Sequence, residues 1–577
     1  NSWVAQGELQ IRDERLCVRG SDLPRLQSGQ RSLWAERIAS VEADSGELIQ
    51  VLELGSVLGL RFRRQLWIDA CAQAGLASPD LFENALEKDG LLVRCSDGWA
   101  LVHESLWSFL QHSADREGRG LSHHKAAAKA LMSASRAPTA QLWERIGRHL
   151  LAGGQGMAAL PAMLRAASLH GDRSRHEASL GLLMIRDKVM RDLGIDERDE
   201  RWGEGWVLRA RMLSALGRLD EATRIADKAV EESAVNNWKT VAPHALCSLG
   251  LIALDMEDIS SAGTLLRRAR DLFLRQGKTD EVAHCSLWQG RVLLRRGNQA
   301  SAEKAFREAA ERYEEVQNYL GLARSMYWCG VVLRQQGRLD EALEALGKAH
   351  SFYVSQGDPI GEADCCLAQG LVWLYKGDLD QSSLHQEDAL RIHMRFQHDE
   401  GAADCLNGLA EVARLRGDLK TAETNYRNAL AILSSIRASR SVLPQVNLAL
   451  VLLQKRELTA AKKLLDTVCP LIERQGKRAL LGATHALFLP IHAVEESSIA
   501  WARHFREASK LLEETGAVDP DIAWASQWAG EEAFQHGHTQ RAMEAWGLSK
   551  RQWKRLGRQD KVDALALRIK ALKATSV

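Results

Sequence analysis

A thirteen-residue phrase recurs along this chain and limits what it can fold into. GRLDEATRIADKA begins at Gly217 and GRLDEALEALGKA at Gly337, 120 residues later. Steps of 40 residues land on GNQASAEKAFREA from Gly297, GDLDQSSLHQEDA from Gly377 and GDLKTAETNYRNA from Gly417. The same frame reaches EDISSAGTLLRRA from Glu257 and GHTQRAMEAWGLS from Gly537, with weaker copies from Arg456 and Ser497. A fixed period of this size marks a repeat array, in which each unit buries its apolar face against its neighbours.

One period reads as a helix hairpin. DEVAHCSLWQGRVLLRRG from Asp280 carries a helical pattern that Gly297 ends. The next segment places Ala302, Ala305, Phe306, Ala309 and Tyr313 on one helical face. Three columns of small residues fix the packing. Gly250, Gly290, Gly330, Gly370, Ala410 and Gly530 sit in the middle of the first helix. Ala222, Ala302, Ala342 and Ala422 lie early in the second, and Ala229, Ala269, Ala309, Ala349, Ala389 and Ala429 seven residues on. Glycine disfavours a helix interior by about 1 kcal/mol relative to alanine, so its recurrence there implies close helix approach.

These columns resemble the tetratricopeptide repeat in its long-loop form, as in kinesin light chain and many bacterial regulators. The resemblance covers residues 157–577. It implies an all-α, right-handed superhelix of about nine to ten hairpins with an extended concave face. Turns are expected near Gly217, Glu257, Gly297, Gly337, Gly377, Gly417, Arg456, Ser497 and Gly537, and a degenerate tenth unit in RAASLHGDRSRHEASLGLL from Arg165.

The first 150 residues carry no repeat. SGELIQVLELGSVLG and FRRQLWIDACAQAG read as helices. SPDLFENALEKDG reads as a third, with Ser78 as N-cap, Pro79 in the first turn and Gly90 at the end. LLVRC and WALV, separated by SDG, form a two-strand wing, so the order predicts a small winged-helix domain over 45–150 with two linking helices. SVLGLRF (56–62), LVHESLWSFL (101–110) and REGRGLSHHKAAAKAL (116–131) resemble the region after the nucleotide-binding module of STAND-type signalling ATPases. Residues 1–44 then correspond to the tail of the ATPase's last subdomain. The chain begins with Asn rather than Met, as a segment of a longer protein would.

Catalytic motifs are missing from the sequence. The one GK[ST] triplet, Gly277–Lys278–Thr279, has Leu272 where a P-loop needs glycine and reads as a helix end. His103–Glu104 lacks the second histidine of HExxH, and His123–His124 point apart on a helix and read as surface or capping residues. No cofactor or metal is expected, and the segment is read as non-enzymatic. The ten cysteines contain no CxxC pair and read as buried free thiols of a cytoplasmic protein. Seventy-six basic against 75 acidic residues gives a net charge of +1, with no bulk attraction for nucleic acid or membranes.

In the resembled repeat the first helices line the groove. Counting from the glycine column, groove positions collect His244, His284, Arg324, Asp364 and Asp404, then Tyr327 and Asn407, then Arg291 and Glu411. Arg334 and Arg414 follow, then Asp255, Arg295, Gln335 and Tyr375. Arginine forks suit carboxylates, so a protein or peptide partner is expected here, contacting Arg291, Arg295, Arg324, Tyr327, Arg334, Asp364, Tyr375, Asp404, Asn407, Glu411 and Arg414. The STAND resemblance adds an intramolecular contact with an upstream nucleotide-binding domain. Trp288, Trp328 and Trp528 share a column and read as packing. Trp501, Trp524, Trp528, Trp546 and Trp553 read either as the core of a cap or as a competing recognition patch. The function expected is a sensor and scaffold region of a STAND-like regulator. The alternatives are a plain assembly scaffold without an ATPase partner and a DNA-binding transcription regulator. Asp80, Glu83, Glu87 and Asp89 in the third helix disfavour the last.

Overall fold

The computed structural model describes residues 9–12, 15–18, 34–41, 47–135, 137–436, 441–495 and 498–575. The turn expected at Ser497, and most of the expected tail 1–44, lie outside the described residues. The chain divides into two compact units, Asn1–Leu272 and Phe273–Val577. The division falls inside helix Ile259–Arg275.

The first unit opens with a short antiparallel ribbon, Leu9–Arg12 against Arg15–Val18. Helices Glu47–Leu58 and Arg64–Ala74 follow, with Arg61–Arg63 between them as a strand that the sequence pattern did not reveal. It pairs with Gly98–Leu101, which pairs in turn with Leu92–Cys95, so the expected two-strand wing is a three-stranded antiparallel sheet. The third expected helix is a 3-10 turn, Pro79–Leu81, followed by the short helix Glu83–Lys88. Its Glu83 is buried, accepting hydrogen bonds from Arg64 and from Trp99 Nε1, and is not the solvent-facing charge the sequence suggested.

Glu53 anchors this module. It is wholly buried and accepts from Arg119 at 2.8 and 2.9 Å, from Ser113 at 2.7 Å and pairs with His123 at 3.1 Å. Burial pushes the carboxyl upward, but these donors outweigh it and hold Glu53 down at about 2. His123 is thus an interior residue, correcting its expected surface role, whereas His103 caps helix Glu104–Arg116 as a capping histidine does.

The repeat hairpins follow. The degenerate unit is real: helices Gly156–Gly171 and His176–Asp192 pack together across a turn where Ser174 takes φ 57°. Next come Glu200–Ala215 with Leu219–Val235, and Val241–Asp255 leading into Ile259–Arg275. In the second unit the hairpins run from Thr279–Arg295 with Gln299–Glu315 to Pro520–Gln535 with Thr539–Arg555, ending in helix Gln559–Thr575. Among the described residues from 201 onward there is no strand. The turn glycines adopt left-handed backbone, for example Gly297 at φ 76°; Glu257 and Arg456 take the same conformation without being glycine, at 64° and 65°.

The glycine column does what its recurrence implied. A Cβ on Gly290 would lie 2.5 Å from Phe306, on Gly330 2.5 Å from Leu346, and on Gly530 2.3 Å from Trp546. The second helix therefore presses a large side chain onto the bare backbone of the first. A second set missed in the sequence, Gly321, Gly361 and Gly401, receives the rings of Tyr313, Tyr353 and His393. Gly330→Leu is expected to destabilise the chain by about 1–3 kcal/mol through overpacking, measured by denaturant unfolding.

Three histidines pack together near the C-terminal end. His485 and His504 meet through their Nδ1 atoms at 2.9 Å, and His492 and Phe488 stack beside His504. Burial, aided by His485, His492, Arg503 and Lys462, depresses His504 to about 3. The ring stays neutral in the fold while the unfolded chain binds a proton below its ordinary value of 6.5. Stability is therefore complete above that pH and is lost as pH falls toward about 3. The unfolding midpoint is expected to drop between pH 7 and pH 5, and His504→Gln to reduce that slope.

Candidate ligand groove

From Thr279–Arg295 to Asp399–Leu415, each first helix touches the first helix of the next hairpin, while second helices make no comparable contact with one another. First helices are thus the closely spaced, inner row of the second unit, and residues at equivalent places on them converge.

Arg291 lies between two indoles, 4.3 Å from the ring centre of Trp288 and 4.8 Å from that of Trp328. These cation–π contacts hold the guanidinium in place along the groove row. Trp328 also keeps a packing role, stacking on Phe306 with ring centres 6.0 Å apart. Tyr327 stands edge-on to Trp328. Burial, with Asp364, Cys365 and Asp404 nearby, pushes its hydroxyl well above the usual tyrosine range, so it is a neutral hydrogen-bonding group. Arg334 lies 5.4 Å over the ring of Tyr375, which is 66% exposed. Arg295 and Arg324 are exposed on the same helices as Arg291 and Arg334. Asp364 and Asp404 are half-buried, with His393 3.5 Å from Asp364, and Asn407 meets Asn447 at 3.3 Å.

Arg414 does not belong to this surface. It is 7% exposed and forks onto Asp521, both contacts at 3.0 Å, and also binds Glu411. Glu411 accepts in addition from the Tyr426 hydroxyl at 2.9 Å. Helix Pro520–Gln535 packs Ala525 and Trp528 into the same core as Ala410 and Ala413, closing this part of the row. Arg414 and Glu411 therefore serve an internal ion-pair cluster, which corrects their expected place as ligand contacts. Sequence reasoning could not pair residues 107 apart with no shared column.

The C-terminal tryptophans resolve toward a core. Trp501, Trp528 and Trp546 are buried, and Trp524 and Trp553 are packed beside them. Trp528 also carries Arg456, 4.1 Å over its ring. Gly277 sits at φ 68° between helices Ile259–Arg275 and Thr279–Arg295, as a helix-end glycine. Among the described residues no cluster of histidine, cysteine or carboxylate side chains could hold a metal ion, and no helix is long and apolar enough to cross a membrane.

Models of the tetratricopeptide repeat match residues 282–355 and 204–228, so the chain carries repeats of this kind. No curated protein matches the sequence. Similar solved structures include a signal transduction ATPase with numerous domains (STAND) and a tetratricopeptide repeat sensor from Pyrococcus horikoshii. It is 13% identical with a TM-score of 0.38, over 88% of this chain and 65% of that one. The chain thus spans under two thirds of that protein's length. The apo quorum sensor NprR from B. thuringiensis is 15% identical with a TM-score of 0.46, over 61% of this chain and 97% of that one. A Rap protein complexed with competence and sporulation factor is 12% identical with a TM-score of 0.44, over 72% and 98%.

Removing one partner of a buried ion pair costs about 3–5 kcal/mol, whereas replacing both by apolar groups is often neutral. Asp521 is about one third exposed and Glu411 remains on Arg414, so Asp521→Ala is expected to lower unfolding stability by about 1–3 kcal/mol, and the double variant Arg414→Met with Asp521→Leu to recover most of it in the same denaturant titration.

Proposed function

We propose that the hairpins of the second unit hold a protein or peptide segment along their first helices, and that the chain is a non-catalytic sensor and scaffold region of a STAND-like cytoplasmic regulator. The observation that carries the reading is the row of aromatic-supported cations on successive first helices: Arg291 between Trp288 and Trp328, and Arg334 on Tyr375. A guanidinium fixed on an aromatic face keeps its hydrogen-bonding fork in a set direction and loses little freedom on binding a carboxylate. Arg295 and Arg324 extend the positive row, while Asp364, Asp404 and Asn407 supply acceptors farther along. An extended segment with acidic side chains toward Thr279–Gln335, and amide or basic donors toward Pro359–Leu415, complements that polarity.

The assignment of residues 45–150 as a winged-helix joint, 1–44 as the tail of a preceding domain and 157–577 as the repeats belongs to the same proposal. Its support is the order helix, strand, helix, short helix, hairpin and two helices, locked by the Glu53 network. A rigid joint of that kind suits transmission between an upstream nucleotide-binding domain and the repeats, by direct intramolecular contact.

Peptides selected from a random display library on the immobilised chain supply the probe. Reversing Arg291 and Arg334 together to glutamate is expected to weaken the selected peptides at least about tenfold, with unchanged circular dichroism. Binding to the unaltered chain is expected to weaken as salt rises. Affinity untouched by the double reversal overturns the groove assignment.

A further inference from the structure

Arg186 lies on helix His176–Asp192 and is 1% exposed. Its Nη2 donates to the Arg201 carbonyl oxygen at 2.8 Å and to Glu204 at 3.4 Å. Its Nε and Nη1, both buried, have no partner. The neighbouring Asp187 accepts from Arg209 at 2.6 Å and makes no hydrogen bond to Arg186. A buried guanidinium with unmet donors is an exception in folded proteins, since burial removes water without replacing it. Desolvation here pushes the guanidinium below its usual pKa, with only partial compensation from Glu204 and Asp187.

This side chain lines a cavity of about 780 Å³ inside the first unit, among helices Gly156–Gly171, Glu200–Ala215 and Val241–Asp255. That size falls within the range of small-molecule sites. The cavity is electrostatically one-sided. Arg165, Arg201 and Arg211 share its wall with Arg186, against Glu204 as the single carboxylate. Arg201 is paired with Asp199, but Arg165 and Arg211 have no ion-pair partner among the described residues. The rest of the wall is largely apolar, through Leu160, Pro161, Leu164, Val207 and Leu208.

We propose that this cavity binds a small anion in which a carboxylate or phosphate head is joined to an apolar body. The head accepts from the exposed guanidiniums of Arg165 and Arg211, and the buried charge of Arg186 in the same wall adds to the attraction. The body covers Leu160, Leu164 and Leu208. Inorganic anions match only the cationic part of the wall, and neutral apolar molecules match only the apolar part. This site is separate from the groove of the second unit, and neither reading depends on the other.

Isothermal titration calorimetry of the full chain with octanoate, octyl phosphate, inorganic phosphate and octanol tests the assignment. At least one octyl anion is expected to bind about tenfold or more tightly than octanol and than inorganic phosphate. Which octyl anion binds better identifies the head group. Arg211→Glu, at an exposed position, is expected to weaken that anion about tenfold without moving the melting temperature. Arg186→Met is expected to reduce the preference for anion over octanol, since one charge of the wall is removed. Equal binding of octanol and both octyl anions overturns the proposal, as does anion affinity that neither variant changes. Inorganic phosphate binding as tightly as octyl phosphate overturns the apolar half. Should Arg186→Met fail to fold, Arg165→Glu with Arg211→Glu decides by the same tenfold criterion.

Discussion

The repeat hairpins depend on a steric match between bare backbone on one helix and a bulky side chain on the next. Gly250 receives Leu266, Gly290 receives Phe306, Gly330 receives Leu346 and Gly530 receives Trp546. The match sets how closely the two helices approach and in what register. Once it is made, one face of the first helix is fully used by packing. Arg291, Arg334, Asp364 and Asp404 stand on the same first helices at positions these locks do not use.

One hairpin departs from this rule. Opposite Gly370 stands Gln386, wholly buried, donating to Ser382 Oγ at 2.8 Å and leaving its Oε1 without a partner. A Cβ on Gly408, in the next first helix, would come within 1.9 Å of that oxygen. An amide so confined has one acceptable orientation. The polar lock therefore demands glycine on both flanking helices, where the apolar locks face a single glycine. The two first helices it joins, Pro359–Lys376 and Asp399–Leu415, also carry Asp364 and Asp404.

Periodic features were legible in the sequence because repetition averages away local noise. The glycine and alanine columns, the hairpin length and the turns at Glu257 and Arg456 all follow from one alignment of the chain with itself. Even turns without glycine hold, since the preceding and following helices force the left-handed conformation there. What the sequence concealed has no period. Glu53 gathers Arg119, Ser113 and His123 from 60 to 70 residues away. Arg61–Arg63 becomes a strand because Gly98–Leu101 offers it an edge, not because three residues carry a pattern. At the candidate groove, column counting located the row but could not distinguish Arg334, which meets a tyrosine ring, from Arg414, which a later helix covers.

That covering helix has a bearing on how the chain is made. Nearly all packing here joins segments close in sequence, so hairpins can form one after another as they leave the ribosome. Arg414 is different: its partner Asp521 lies 107 residues later. At typical synthesis rates of 5–20 residues per second, that delay is about 5–20 s. Throughout it, helix Asp399–Leu415 must exist with its arginine still hydrated and its side of the core uncovered. The hairpins from Thr279 to Ile436 are therefore complete as neighbours well before they are complete as a surface, and the uncovered edge of that nascent array is where a chaperone would find apolar surface to hold.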